Sequence, residues 1–170
     1  TFPSHTAMLT SKYPAELGVW EPFDKLPEEV VTIAEVLKQN SYKTQAFSNG
    51  FFVQPEWGFD QGFDGFVGSL DPKNFHDAPK IFEDALTWID TNKNSRLFVF
   101  MRPWNLNSAG KPASGALAAM GADPETWQAV TNDETIAANT RPMGATQQEL
   151  EKFRLEYDAK IREVDSGFEK

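Results

Sequence analysis

The chain has 170 residues, 40% of them hydrophobic, with 16 Lys and Arg against 25 Asp and Glu, a net charge of -9 and no cysteine. That length and composition suit one globular domain with its own core and exclude a disordered or fibrous chain. The acidic total and scattered basic residues argue against a nucleic-acid partner, and the lack of cysteine excludes disulfides, thiolate metal sites and a cysteine nucleophile within these residues.

Thr1 stands before Pro3 and the short helical stretch Ser4-His5-Thr6-Ala7-Met8-Leu9-Thr10. Proline is tolerated in the first turn, where an N–H has no acceptor anyway, and Tyr13-Pro14 closes the element. Pro27-Glu28-Glu29 opens a second predicted helix, with Val30, Ile33, Ala34 and Leu37 at helical spacing, that runs to Gln39. After the Asn40-Ser41 turn, Tyr42 to Phe47 alternates as a strand and stops at Ser48-Asn49-Gly50. Residues 51–76, rich in Phe, Gly and Asp, have no sustained period and are expected to form an ordered loop anchored by Trp57, Phe59, Phe63 and Phe66. Asp60, Asp64 and Asp71 lack the spacing and the glutamate of a calcium-binding loop, and read as turn formers.

Ala78 to Asn92 carries Ile81, Phe82, Ala85, Leu86, Trp88 and Ile89 on one helical face. Arg96 to Met101 is a continuous apolar run of strand length, as expected for a strand buried on both faces of a parallel sheet. From Asn105 to Ala145 the chain is small, polar and broken by Gly and Pro, a loop or insertion with a short helix around Thr126 to Thr131. Thr146-Gln147-Gln148-Glu149 forms a capping-box pattern, and Leu150, Phe153, Tyr157, Ile161, Val164 and Phe168 then mark a long helix still running at Lys170. This order predicts an α/β fold, a mostly parallel sheet flanked by helices. Two predicted strands do not make a stable sheet, so further sequence is expected on both sides of this single catalytic domain.

The opening residues carry the chemistry. A hydroxyl just before a helix whose first amides are free stands in a site suited to anions. By residue type alone Thr1 reads first as an N-cap, and as a nucleophile only with a base or metal to activate it. Lys12 offers a cation for an oxyanion, and His5 a hydrogen bond or a proton.

Thr1-x-Pro3-Ser4-His5 followed by Leu9-Thr10-Ser11-Lys12-Tyr13-Pro14 resembles the signature of the sulfatase family, within the alkaline phosphatase superfamily: nucleophile-x-Pro-Ser-Arg, then Thr-Gly-Arg and Tyr-Pro. Leu17-Gly18-Val19, the stretch from Thr32 to Gly50, Trp57 to Phe66, Arg96 to Trp104 and the last helix resemble the family's later segments in order. The resemblance implies an alkaline-phosphatase-like fold, incomplete here, and a hydrolase cleaving sulfuric or phosphoric esters by metal-assisted in-line attack. It places Thr1 at the nucleophile position, also a metal ligand, with His5 and Lys12 at the two motif arginines. Arg102, after the central strand, is a substrate-binding candidate. The remaining metal ligands fall outside these residues. The metal implied is divalent, calcium in sulfatases, zinc or manganese in phosphodiesterase relatives. The implied substrate is a small-molecule or carbohydrate sulfate or phosphate ester.

Two departures bear on mechanism. Sulfatases convert a cysteine or serine at the nucleophile position to formylglycine, which threonine does not undergo, whereas phosphodiesterase and phosphotransferase relatives use threonine directly. Ser48-Asn49-Gly50-Phe51 holds neither the Lys nor the His expected of an arylsulfatase there, and Met101-Arg102-Pro103-Trp104 replaces a histidine-bearing segment. The alternative expectation is therefore a catalytically degenerate member that keeps the fold as a binding or structural module. No run approaches a membrane span, these 170 residues alone are expected to be inactive, and the resemblance suggests a periplasmic or extracellular setting.

Overall fold

The computed structural model describes residues 1–21, 24–70, 78–107, 112–127 and 146–168, which group into two compact units, 1–104 and 105–170. Helix α1 spans Phe2–Thr10 and buries Phe2, Thr6, Leu9 and Thr10. Two of those are polar, and each hydroxyl bonds back one turn, Thr6 to Phe2 O at 3.1 Å and Thr10 to Thr6 O at 2.7 Å, so both can be buried without an orphaned donor. The helix ends where Ser11 takes a left-handed conformation, φ 56 and ψ 25, and donates its N–H to Ala7 O. The sulfatase pattern carries glycine at that position, and the backbone gives the reason: a side chain there is strained. Ser11→Gly is expected to stabilise the protein by about 1 kcal/mol, read as a higher midpoint in thermal unfolding.

Helix α2 covers Ile33–Gln39 and begins later than the Pro27-Glu28-Glu29 signal predicts. A capping box accounts for the shift. Glu35 N–H donates to Thr32 Oγ1 at 3.2 Å and Thr32 N–H to Glu35 Oε2 at 2.7 Å, which fixes Thr32 as the cap. Strand β1, Tyr42–Asn49, then runs two residues past the predicted alternation. Strand β2, Gly65–Ser69, lies inside the stretch expected to be loop. Helix α3, Ala78–Asn92, and strand β3, Arg96–Arg102, fall where their patterns place them.

The three strands form a parallel sheet in the order β2-β1-β3, with Ala46 opposite Phe66 and Phe100, and Ser48 opposite Arg102. Alternation along β1 divides the core. Ala46 packs with Ala34 and Phe63 against Phe66, Phe98 and Phe100, while Phe47 packs with Ile81 and Ala85 against Trp88, Val99 and Met101. Helices therefore cover both faces. The residues of α1 extend the first cluster: Phe2 and Leu9 pack with Val19, Val53 and Phe59, and Phe100 borders the group. Central β1 is buried from Thr44 onward, whereas β3 is half-exposed along Leu97 to Met101, because its outer edge has no partner strand among the described residues.

The aromatic residues of 51–70 act as the expected anchors. Phe59 meets Phe2 edge-on at 5.0 Å, Phe63 stacks on Phe98 at 5.7 Å, and Trp57 Nε1 donates to Phe51 O at 2.8 Å. Asp64 is a turn residue, accepting Thr44 N–H at 2.9 Å and pairing with Lys38 at 2.9 Å. Asp71 lies outside the described residues.

In the second unit, α4, Ser114–Ala119, packs Ala116 and Leu117 against Ala159 of α5, Gln147–Phe168. The sequence reading placed no helix at α4. The helix expected around Thr126 to Thr131 falls mostly outside the described residues, and Thr126 itself is in a turn. The predicted capping box opens α5, with Thr146 N–H to Glu149 Oε2 at 2.7 Å and Glu149 N–H to Thr146 Oγ1 at 3.3 Å.

Candidate functional site

Parallel strands end together, and the carboxyl edge of such a sheet is where open α/β folds bind ligands. Here that edge carries Asn49 of β1 and Arg102 of β3, brought opposite by the Ser48–Arg102 register. Arg102 shares the face of Phe100, two residues back, and Phe100 meets the His5 ring edge-on at 6.2 Å. The packing of α1 on this face thus sets the opening motif beside the strand ends.

Thr1 occupies the N-cap position of α1, but its hydroxyl makes no cap hydrogen bond. Its main-chain carbonyl is the working acceptor instead. It takes His5 N–H at 3.1 Å, Ser4 Oγ at 2.7 Å and His5 Nδ1 at 2.8 Å. The expectation of a capping hydroxyl is corrected on this point: the exposed Thr1 hydroxyl is uncommitted. Pro3 has no N–H, so Phe2 and Ser4 supply the amides of the first turn that lack an intrahelical acceptor.

A carbonyl acceptor requires the proton on Nδ1 of His5 and leaves Nε2 clear of that bond. Burial of the half-exposed ring lowers the His5 pKa, the Thr1 hydrogen bond opposes the shift, and the nearby Arg102 charge adds to it. His5 therefore differs from the arginine of the sulfatase pattern in carrying little positive charge at neutral pH.

Arg102 is 9% exposed, and desolvation pulls its pKa down to about 10, still far above neutrality. Its Nη1 donates to Asn49 O at 2.6 Å, and its guanidinium lies 4.7 Å from the Trp104 ring centre. Trp104 in turn leans on Phe52 at 5.7 Å. Gly50, at φ 91, makes room for that indole, since a Cβ there would overlap Trp104 Cε3. The sequence reading missed Trp104, Asn49 and Gly50 as parts of the site. The adjacent Arg102-Pro103-Trp104 and the Asn49-Gly50 strand end were the available signals.

The structure bonds His5 to the Thr1 carbonyl and sets it within range of the Arg102 charge, and Lys12 lies at the other end of α1 from Thr1. Lys12 follows the last turn of α1, exposed, its N–H on Thr10 Oγ1 at 3.3 Å. A nine-residue helix rises about 13 Å, which puts Lys12 at the end opposite Thr1. No group of three or more His, Cys, Asp or Glu side chains among the described residues is placed to hold a metal ion. These residues do not fit a metal centre on their own.

The Sulfatase family model matches residues 1–170. Comparison with curated protein sequences returns no match. Among solved structures, the chain is similar to BT4656 in complex with its substrate D-glucosamine-2-N,6-O-disulfate, at 15% identity and TM-score 0.65, covering 98% of this chain and 50% of that one. It is also similar to a Bacteroides thetaiotaomicron protein solved in work on the metabolism of multiple glycosaminoglycans, at 14% identity and TM-score 0.63, covering 99% and 44%. A third likeness is to the lipoteichoic acid synthase LtaP from Listeria monocytogenes, at 13% identity and TM-score 0.50, covering 98% and 40%. At such identities the likenesses show the fold, alkaline-phosphatase-like with a parallel sheet between helices. The chain spans half or less of the length of these three structures.

Proposed function

The chain belongs to the Sulfatase family, and from that premise we propose that the intact protein hydrolyses sulfuric esters, or phosphoric esters, with Thr1 as the in-line nucleophile. The observation that carries this reading is the uncommitted Thr1 hydroxyl at the head of α1, beside His5 and the buried cation of Arg102. In the proposed reaction Thr1 Oγ bonds to sulfur or phosphorus as the ester oxygen leaves with a proton, and water then cleaves the Thr1 ester. Amides of the first turn of α1 and the Arg102 guanidinium face the anion, and His5, held through Nδ1, presents a largely neutral ring. Lys12 acts at most at a distance, from the far end of α1.

A divalent cation, calcium on the sulfatase resemblance, belongs to the same proposal, with its ligands outside these residues. The substrate class proposed is a carbohydrate sulfate, because the relative named above holds a disulfated glucosamine as its substrate. A degenerate binding module is the second reading. It is favoured by a strand end, Ser48-Asn49-Gly50-Phe51, that offers neither Lys nor His and whose carbonyls serve structure.

The test is turnover by the intact protein of 4-nitrophenyl sulfate and of bis(4-nitrophenyl) phosphate, with calcium supplied. Release of nitrophenol from either ester is expected, together with its loss on chelation. A folded protein inert to both esters and to sulfated glucosamine would establish the module reading instead.

A further inference from the structure

A cleft of about 350 Å³ opens beside β2, lined by Gln54, Pro55, Glu56, Phe66, Gly68 and Leu70, and it shares no lining residue with Thr1, His5 or Arg102. Phe66, Gly68 and Leu70 alternate along one side of the strand, and Pro55 and Glu56 belong to a single short turn of 3-10 helix, Pro55–Trp57. Gln54 is 2% exposed. Its Nε2 donates to Ser48 O at 2.9 Å and to Gly50 O at 2.7 Å, and two carbonyls there require the amide nitrogen rather than its oxygen. The amide is thereby locked with Oε1 over Gly68, 2.5 Å from the point a Cβ of that residue would occupy. No described residue donates to Oε1. A buried acceptor left without a donor is costly, so the missing donor has to arrive through the cleft.

The remaining lining selects the kind of donor. Pro55, Phe66 and Leu70 carry no side-chain donor, that of Gln54 is committed, and Glu56 adds an exposed acidic group. Acceptor oxygens and a carboxylate beside an aromatic ring attract a hydrogen-bonding cation and repel an anion. We propose that the cleft binds a primary ammonium group on a small organic molecule, with Gln54 Oε1 as the fixed acceptor, Glu56 as the counter-charge and Phe66 as the ring beside its carbon frame. Gly68 keeps the acceptor open, since a side chain there would stand against Oε1 and also 2.6 Å from Ser48 O. Its φ is not positive, so the backbone alone does not call for glycine at that position. This binding lies beyond the ester chemistry, because a sulfate or phosphate is an anion and finds no free side-chain donor in the lining.

The experiment is calorimetric titration of the intact protein with glucosamine and with ethanolamine, each beside its neutral counterpart, glucose and ethylene glycol. Mildly acidic buffer keeps both amines protonated, and sodium chloride holds the ionic strength constant. Saturable binding of at least one amine is expected, with its neutral counterpart tenfold weaker or more. Tighter binding of glucosamine assigns the cleft to amino sugars, and equal or tighter binding of ethanolamine to small alkylamines. Either preference supports the ammonium site. Glu56→Gln, an exposed change that removes the charge and keeps the shape, is expected to weaken amine binding tenfold or more and to leave ester turnover as it was. Gly68→Ala is expected to abolish amine binding, with far-ultraviolet circular dichroism unchanged. No binding of either amine, neutral counterparts that bind equally well, or binding unchanged in Glu56→Gln or in a folded Gly68→Ala overturns the proposal. Amine binding by a protein inert to esters would sink the hydrolase reading and leave the cleft standing. Ester turnover by a protein that binds neither amine would do the reverse.

Discussion

Replacing Thr1 with alanine is expected to lower ester turnover by the intact protein by a factor on the order of 10^3 or more, while leaving its thermal stability nearly unchanged. The two halves of this expectation separate function from structure. If the hydroxyl capped α1, its loss would cost about 1 kcal/mol of stability, but it makes no cap bond. The groups that hold the first turn converge on the Thr1 carbonyl, which alanine retains. An exposed side chain without a hydrogen bond should contribute at most about 0.5 kcal/mol. As a nucleophile, in contrast, the oxygen is irreplaceable, because alanine has no atom with which to form the covalent ester. Thr1→Ser keeps the hydroxyl and is expected to retain turnover. Steady-state rates with a nitrophenyl ester, alongside thermal melts of both variants, decide the matter. Full activity in Thr1→Ala removes Thr1 from the mechanism, and a melt lowered by about 1 kcal/mol would return it to the role of a cap.

The elements read from the sequence are those whose own residues determine them. Pro3 in a first turn, the apolar face of α3 and the Thr146–Glu149 capping box are local signals, and all three stand where they were read. Strand β2 escaped because its reasons lie elsewhere. Gly65 and Gly68 break any alternation, and a Cβ at Gly65 would overlap the Gln45 side chain, while one at Gly68 would sit 2.5 Å from Gln54 Oε1. What makes the segment a strand is the ladder offered by β1. The late start of α2 was in principle legible, since Thr32 and Glu35 spell a capping box, but the acids after Pro27 gave a competing signal.

The site divides in the same way. Thr1 and His5 belong to one short motif, so a single sequence pattern names both as candidates. The Arg102 mount joins residues 53 positions apart, Asn49 and Arg102, with Gly50 and Trp104 beside them, and no spacing rule links them before the sheet register is known. Lys12 was grouped with Thr1 through the motif, although the helix between them separates the two.

Gly50→Ala is the substitution expected to damage this protein most through packing, and Gly18→Ala provides its control. Both glycines have positive φ, 91 at Gly50 and 68 at Gly18, so alanine strains the backbone at each by about 1 kcal/mol or somewhat more. At Gly18 nothing lies within 4 Å of the added Cβ, and the backbone cost is the whole effect. At Gly50 the Cβ overlaps Trp104 Cε3 and sits 2.6 Å from Cδ2, the body of a buried, braced indole that has no flexible end to yield. Overpacking of this kind adds about 1–3 kcal/mol, so Gly50→Ala is expected to lose about 2–4 kcal/mol in denaturant unfolding against about 1 for the control. Sulfate affinity should fall as well, because an indole pushed off the guanidinium no longer fixes its face, whereas Gly18→Ala should leave affinity alone. The pair Gly50→Ala with Trp104→Leu tests the cause: if the clash is with the indole, the double variant loses less than the two single losses combined. Equal losses in Gly18→Ala and Gly50→Ala, or strict additivity in the cycle, would mean that Gly50 serves only its own backbone and that Trp104 is not the wall against which Arg102 is set.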